Sequence, residues 1–213
     1  MHNYFDELNK RFSEDLKEVQ ERRTQWNQFS EKAFEHFAGI KATADKSQFF
    51  ETINYHKSNP EKSVNQNYLH FWAGQKYTGM SSTYTVVDET RRSGVKNMME
   101  GIVEDSGCLS ILQAPNGMVF FILYPCKSKV LQWNDEYIIY KRYKKPEDIG
   151  YVEIKEAVEF YLKFMLFTSF CSEPHFCERV RLWYMKFRFT EHLGKMFKGV
   201  GTIAKLSMGF FAH

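Results

Sequence analysis

The sequence predicts an α+β fold: a small, mostly antiparallel sheet flanked by C-terminal helices, with a long N-terminal amphipathic helix. Three observations support this class. Apolar residues recur every seven positions over residues 1–40, the period changes to two from residue 66 onward, and a helical period returns after Pro146. The 213 residues, of which 43% are hydrophobic and 26% charged, are enough for one globular domain and exclude a disordered or collagen-like chain.

The first predicted element is one long helix over residues 3–38. Asn3 suits its N-cap position, and Gly39 suits a stop just past its last turn. At 1.5 Å per residue, such a helix spans about 50 Å, which is longer than the remainder of a domain of this size. Its apolar stripe consists of Phe5, Leu8, Phe12, Leu16, Val19, Trp26, Phe29, Ala33 and Phe37.

This apolar stripe has two interpretations. Either the helix packs along its own domain, or it pairs with a second chain in a bundle or in a partner's groove. Arg22 and Arg23 interrupt the stripe at its middle, and a pairing surface with one polar layer tolerates this interruption better than a core does. We therefore expect the helix to bind another protein, or a second copy of the chain, through Phe5, Leu8, Phe12, Leu16, Val19, Trp26, Phe29 and Phe37.

Strands follow a polar segment over residues 41–65, in which residues 49–55 indicate a short packed helix. The segment 114–117, Ala-Pro-Asn-Gly, predicts the tight turn of a hairpin, because Pro fixes φ and Gly accepts a positive φ. Residues 119–124 are apolar on both faces and are expected to form a central strand, whereas residues 94–105 are expected to form a loop or one helical turn. The predicted strands are residues 67–72, 83–87, 107–113, 119–124 and 137–143.

Two further helices are predicted over residues 152–170 and 176–193, because Pro174 separates two segments of helical period. The sequence therefore divides into three parts. A long helical arm covers residues 1–40, an α+β domain covers residues 41–193, and a basic amphipathic tail covers residues 194–213.

The tail belongs to a basic C-terminal region. Residues 174–213 carry seven Lys or Arg and two Asp or Glu, a net charge of +5, whereas the whole chain carries 29 − 26 = +3. Cations interleaved with rings are typical of helices that lie in a membrane interface, and the same pattern suits a groove of the domain or of a neighbouring subunit. The predicted membrane or subunit contact comprises Lys195, Met196, Phe197, Lys198, Val200, Ile203, Lys205, Phe210 and Phe211.

No motif in the sequence predicts a catalytic residue, a cofactor or a metal. Residues 199–204 match the dinucleotide fingerprint G-x-G-x-x-A, but they lack the βαβ unit in which that motif binds a pyrophosphate. Cys171, His175 and Cys177 offer two thiols and an imidazole, whereas structural zinc needs four ligands. Residues 137–145 interleave aromatic and basic side chains but divide them between two strand faces, so nucleic acid is not an expected partner.

The expected function is that of a non-catalytic protein-interaction or oligomerisation module of a cytosolic assembly, which associates through the N-terminal helix and the C-terminal tail. One alternative is a membrane-docking or membrane-disrupting effector whose tail binds an anionic membrane surface. The other is an enzyme with a Cys–His nucleophile among Cys171, His175 and Cys177. Four cysteines without a secretion signal or an N-x-S/T sequon favour the cytosol, at the periphery of a membrane if the tail binds lipid.

Overall fold

The computed structural model describes residues 2–44, 52–58, 67–87, 95–129, 137–169 and 171–173, and five further residues between 176 and 184. Its elements are α1 (His2–Ala44), β1 (Asn54–Lys57), β2 (Asn67–Trp72), β3 (Lys76–Val87), β4 (Val95–Asp105), β5 (Cys108–Gln113), β6 (Val119–Tyr124), β7 (Lys127–Ser128), β8 (Ile138–Tyr143) and α2 (Tyr151–Thr168). A 3-10 turn at Pro146–Asp148 precedes α2. The long N-terminal helix, the antiparallel sheet and the later helix confirm the predicted α+β class.

The main sheet has five antiparallel strands in the order β1-β2-β5-β6-β8. β6 lies between β5 and β8, and all six of its residues are buried. The turn between β5 and β6 places Gly117 at φ +79°, and Cys108 is paired with Tyr124 across the two strands. These findings confirm the predicted hairpin and the predicted central strand.

α2 and the second half of α1 cover one face of the main sheet. The largest buried side chains come from all three elements: Phe37 of α1, Phe71 and Phe121 of the sheet, and Tyr161 and Phe164 of α2. The ring centroids of Phe37 and Phe71 are 5.0 Å apart, and those of Phe71 and Tyr161 are 5.9 Å apart. A line of aromatic contacts therefore connects α1 to α2 through the sheet, and the second half of α1 is part of the core.

A second sheet of three antiparallel strands, in the order β3-β4-β7, continues the main sheet. β2 leads into β3 through residues 73–75, β4 into β5 through residues 106–107, and β6 into β7 through residues 125–126. Because β2, β5 and β6 are neighbours in that same order, the three connections lie side by side, and we call them the sheet junction. Gly107 in the junction has φ +69°, and a Cβ there would lie 2.2 Å from the Tyr124 carbonyl oxygen, so only glycine fits.

Two strands occupy positions where the sequence indicates other structure. β4 covers residues expected to form a loop or a helical turn, and it pairs with β3 from Val95 to Glu104. Its own sequence does not alternate cleanly, so the pairing with β3 determines its conformation. Tyr55, expected in a short helix, lies in β1, where its ring packs edge-on against Phe34 of α1 at 4.7 Å between centroids.

α1 is longer than predicted at both ends. It begins at His2, so Asn3 lies within its first turn, and it continues past Gly39 to Ala44. A Cβ on Gly39 would meet nothing within 4 Å, so glycine is not required there by any close approach. Lys41 Nζ donates a hydrogen bond to a backbone carbonyl oxygen just before β1 at 2.8 Å, which ties the last turn of α1 to the sheet.

Part of the predicted structure lies outside the described residues. The predicted helix 152–170 corresponds to α2, whereas most of the predicted helix 176–193 is not described. His175 also lies outside the described residues. So does the whole predicted tail contact, namely Lys195, Met196, Phe197, Lys198, Val200, Ile203, Lys205, Phe210 and Phe211.

Candidate functional site

Residues 2–21 of α1 form a helical segment, which we call the overhang, and no residue from Tyr4 to Glu21 is buried. At 1.5 Å per residue, the overhang is about 30 Å long. Its apolar stripe consists of Phe5, Leu8, Phe12, Leu16 and Val19. Phe12 is 64% exposed and none of the five side chains is buried, so the overhang presents a row of large apolar groups to solvent.

The remaining predicted contact residues, Trp26, Phe29 and Phe37, lie in the core of the domain. The Trp26 and Phe29 rings are 5.3 Å apart between centroids, and Phe37 packs on Phe71 of β2. The domain therefore covers the second half of the apolar stripe, and the part that a partner can reach is the overhang.

Arg22 lies where α1 meets the domain. Its side chain is 11% exposed and reaches the β5–β6 turn, where Nη1 donates a hydrogen bond to the Asn116 carbonyl oxygen at 3.3 Å. The Gln113 side-chain amide donates to the Arg22 carbonyl oxygen at 2.9 Å. Glu18, one turn earlier, forms an ion pair with Arg22, and its Oε2 lies 3.6 Å from Lys144 Nζ. The polar interruption of the stripe is therefore the contact that fixes α1 on the hairpin.

The side of the overhang opposite the stripe is charged. Lys10, Glu14, Lys17 and Glu21 are exposed there, because about 100° of rotation per residue places them away from the apolar row. An apolar face backed by a charged face is the pattern of a helix that binds through one side. The overhang is thus amphipathic, with one apolar side and one charged side.

The β3–β4 hairpin carries a second set of exposed apolar side chains that the sequence analysis did not single out: Tyr77, Met80, Tyr84, Met98 and Met99. Tyr84 is paired with Met98, and Thr83 is paired with Met99. Because neighbouring strand residues point to opposite sides, these side chains are divided between the two faces of the hairpin. The sequence does not predict the strand pairing that locates them, since residues 94–105 are expected to form a loop or one helical turn.

A cleft of about 450 Å³ opens at the sheet junction, a volume in the range of small-molecule sites. Residues of all three connections and of the adjoining strand ends line it, among them His70, Trp72, Asp105, Cys108, Tyr124 and Lys127. The Gln75 side-chain amide donates a hydrogen bond to Asp105 Oδ1 at 2.9 Å. The cleft could not be found from sequence, because it exists only where three distant connections come together.

His70 and Cys108 bring an imidazole and a thiol together in this cleft, with Cys108 Sγ 3.5 Å from His70 Nδ1. Burial, with a smaller contribution from the charge of His56, lowers the pKa of His70 to about 3. Burial also raises the pKa of Cys108 to about 12. Both groups are therefore uncharged at neutral pH, whereas a cysteine nucleophile reacts as the thiolate. The pair thus lacks the thiolate on which a cysteine nucleophile depends.

Tyr161 of α2 holds two walls of the cleft together. Its hydroxyl oxygen accepts a hydrogen bond from the Ala73 N–H at 3.0 Å, and the hydroxyl donates to the Ser106 carbonyl oxygen at 3.2 Å. Burial raises the pKa of Tyr161, so the hydroxyl stays protonated. On the same connection as Ala73, the Gly74 N–H donates to Thr52 Oγ1 at 3.1 Å. Side chains therefore satisfy backbone groups of the junction that lie outside the β ladders.

The structure describes two members of the predicted Cys171, His175 and Cys177 cluster. Cys171 and Cys177 are exposed free thiols, and His175 lies outside the described residues. Within the described ranges, no three His, Cys, Asp or Glu side chains are placed to hold a metal ion. In that same part of the chain, neither helix is both long and apolar enough to cross a bilayer.

No family model matches the chain, and no curated protein or solved structure matches it either. Function is therefore inferred from the overhang and the cleft alone.

Proposed function

We propose that the protein is a non-catalytic self-association module of the cytosol, in which the overhang binds a second copy of the chain. One observation carries this proposal. The apolar stripe runs along the whole of α1, but the domain covers it only from Trp26 onward and leaves Phe5, Phe12 and Leu16 exposed. Large apolar side chains in one row on a protruding helix are stabilised when another apolar surface covers them.

The way in which α1 is held supports the same function. The hydrogen bonds between Arg22 and the β5–β6 turn fix the direction in which the overhang leaves the domain. Gln25 Nε2 donates to Glu147 Oε2 at 3.0 Å and adds a further contact at the 3-10 turn. A contact surface held in a defined orientation loses less entropy on binding than a flexible segment does.

The chemistry of the described cleft supports a non-catalytic assignment. His70 and Cys108 are both uncharged at neutral pH, so this imidazole–thiol pair does not provide an activated nucleophile. The free thiols of Cys108, Cys126, Cys171 and Cys177 support a reducing compartment such as the cytosol.

Deletion of residues 1–17 tests the proposal. This deletion removes most of the overhang and keeps Glu18, Arg22 and all core residues of α1, so the domain should still unfold cooperatively. Sedimentation velocity over a wide concentration range should show that the full chain self-associates and that the truncated chain is monomeric. A full chain that stays monomeric at every concentration would overturn the proposal.

Two single substitutions with the same charge change provide a sharper comparison. Phe12→Glu places a charge in the stripe and should abolish self-association, because burying an unpaired carboxylate is strongly unfavourable. Lys10→Gln makes the same change of −1 in net charge on the opposite side of the overhang and should leave association unchanged. Equal effects of the two variants would show that net charge, and not the apolar stripe, controls association.

A further inference from the structure

We infer that two copies of the chain pair through their overhangs in an antiparallel arrangement, with a two-fold axis at Phe12. This inference rests on the proposed function. In the pair, Phe12 of one copy contacts Phe12 of the other, and each chain contributes its five stripe residues to one continuous contact. Two observations select this arrangement: the position of the domain relative to the stripe, and the charges beside the stripe.

The stripe is symmetric in sequence about Phe12. Leu8 and Leu16 lie four residues on either side of it, and Phe5 and Val19 lie seven residues on either side. An antiparallel pair reverses one stripe relative to the other, and a symmetric stripe matches its own reverse at every position. Leu8 of one copy then contacts Leu16 of the other, and Phe5 contacts Val19.

The domain blocks the parallel alternative. From Trp26 onward, the sheet packs on the continuation of the same apolar stripe, so each domain lies on the side of α1 that would face a partner. In a parallel pair both domains would occupy the space between the two helices at the same end. In the antiparallel pair they lie at opposite ends. Residue 2 of one helix then reaches the level of Arg22 of the other, where the domain begins.

The charges beside the stripe are complementary only in the antiparallel pair. Arg11 and Asp15 are exposed on one flank of the stripe, and Asn9, Ser13 and Gln20 lie on the other flank. A two-fold axis perpendicular to the helices brings each flank against the same flank of the second copy, so Arg11 lies about 3 Å along the helix axis from both Asp15 and Arg11 of the second copy. Asp15 is about 60° and Arg11 about 100° from the centre of the stripe, so the opposite charge is the nearer of the two. Two symmetric ion pairs result. A parallel pair would instead place both charged residues against the flank of Asn9, Ser13 and Gln20, whose side chains are uncharged.

Two charge substitutions test this pairing. Arg11→Glu and Asp15→Arg should each bring like charges together twice per dimer and raise the dimer dissociation constant by about tenfold. An equimolar mixture of the two variants should regain the affinity of the unmodified chain, because the mixed dimer contains two opposite-charge pairs. Restoration by mixing cannot come from contacts within one helix. Sedimentation velocity of each variant and of the mixture measures this.

The outcomes separate the two proposals. If the unmodified chain is monomeric, both fail. If it dimerises and Phe12→Glu prevents dimerisation, but Arg11→Glu and Asp15→Arg associate like the unmodified chain, only the antiparallel arrangement fails.

Crosslinking provides a second measurement. It is made in a variant from which the exposed thiols Cys171 and Cys177 have been removed by substitution. A short bismaleimide should link Leu8→Cys to Leu16→Cys in a mixture of the two variants, and should link neither variant to itself. Self-linking of Leu8→Cys would indicate a parallel pair and would overturn the inference.

Discussion

Gly117 in the β5–β6 turn lies directly against Arg22 of α1, so that a Cβ added to Gly117 would be 2.5 Å from the Arg22 Cβ. Gly117 also has φ +79°, in the left-handed region that favours glycine. The helix can lie this close to the hairpin because the turn has no side chain at this position. The residue that enables the turn thus also enables the contact that directs the overhang.

Gly117→Ala should lower the free energy of unfolding by about 2 kcal/mol, because it combines an unfavourable φ with a steric conflict. Urea denaturation measures the change. Gly39→Ala is the matched control: Gly39 lies in α1 with open space around it, so alanine should stabilise the helix by about 1 kcal/mol. If Gly117→Ala left the free energy of unfolding unchanged, the helix and the turn would not lie as close together as 2.5 Å between these Cβ positions.

Tyr161→Phe should lower the free energy of unfolding by about 1–3 kcal/mol, as expected for buried hydrogen-bonding groups left without a partner. The ring still fills its place beside Phe71, but the Ala73 N–H and the Ser106 carbonyl lose the hydroxyl. Tyr151→Phe, at an exposed position of the same helix, should change stability by less than about 0.5 kcal/mol. Equal effects of the two substitutions would contradict the role of the Tyr161 hydroxyl at the sheet junction.

The stability of the protein should fall as the pH drops below about 6.5, because His70 gains a proton on unfolding. Its folded pKa of about 3 lies below the ordinary value of 6.5, so between these values the unfolded chain binds more protons than the folded chain. The expected contribution is roughly 1.4 kcal/mol per pH unit. Urea denaturation between about pH 6.5 and about pH 5, above the ordinary carboxylate range, measures the slope.

His70→Gln should remove most of that slope, whatever its effect on absolute stability. Replacing the exposed His56 by Gln should leave most of the slope in place, because burial is the larger cause of the lowered pKa of His70. A slope that His70→Gln leaves unchanged would assign the pH dependence to other groups.

Alkylation should distinguish the four thiols in the folded protein. Cys171 and Cys177 are exposed and should react with iodoacetamide at neutral pH. Cys108 and Cys126 should react only after unfolding, because burial raises the pKa of each to about 12 and little thiolate forms. Peptide mass spectrometry with and without urea measures this. Rapid modification of Cys108 in the folded protein would contradict the raised pKa of its thiol.

Local patterns in the sequence were sufficient to predict the hairpin and the central strand. The turn at 114–117 and the apolar strand 119–124 each contain their own signal, since turn residues and two-sided hydrophobicity act over a few positions. β4 has no such signal. Its conformation depends on pairing with β3, and a pairing between separate segments cannot be read from either segment alone.

The candidate site could be predicted only in part, for the same reason. The period of α1 identifies which side of the helix is apolar, but it does not show that the domain covers this side at Trp26 and leaves it open at Phe12. That difference depends on where the β5–β6 turn meets Arg22. The cleft had no local signal, since His70 and Cys108 are brought together only by the pairing of β2 with β5.

Because α1 is continuous from the core into the overhang, the overhang does not have to nucleate its own helix. An isolated helix of roughly 20 residues has to form a first turn, a step with an equilibrium factor near 10⁻³. Here the packed turns that contain Trp26 and Phe37 are that nucleus, and the overhang extends it by adding residues at the N-terminal end. An incoming chain therefore meets a helix that is already formed. Its association does not include the loss of backbone entropy, about 1–2 kcal/mol per residue, that accompanies the folding of a disordered segment on binding.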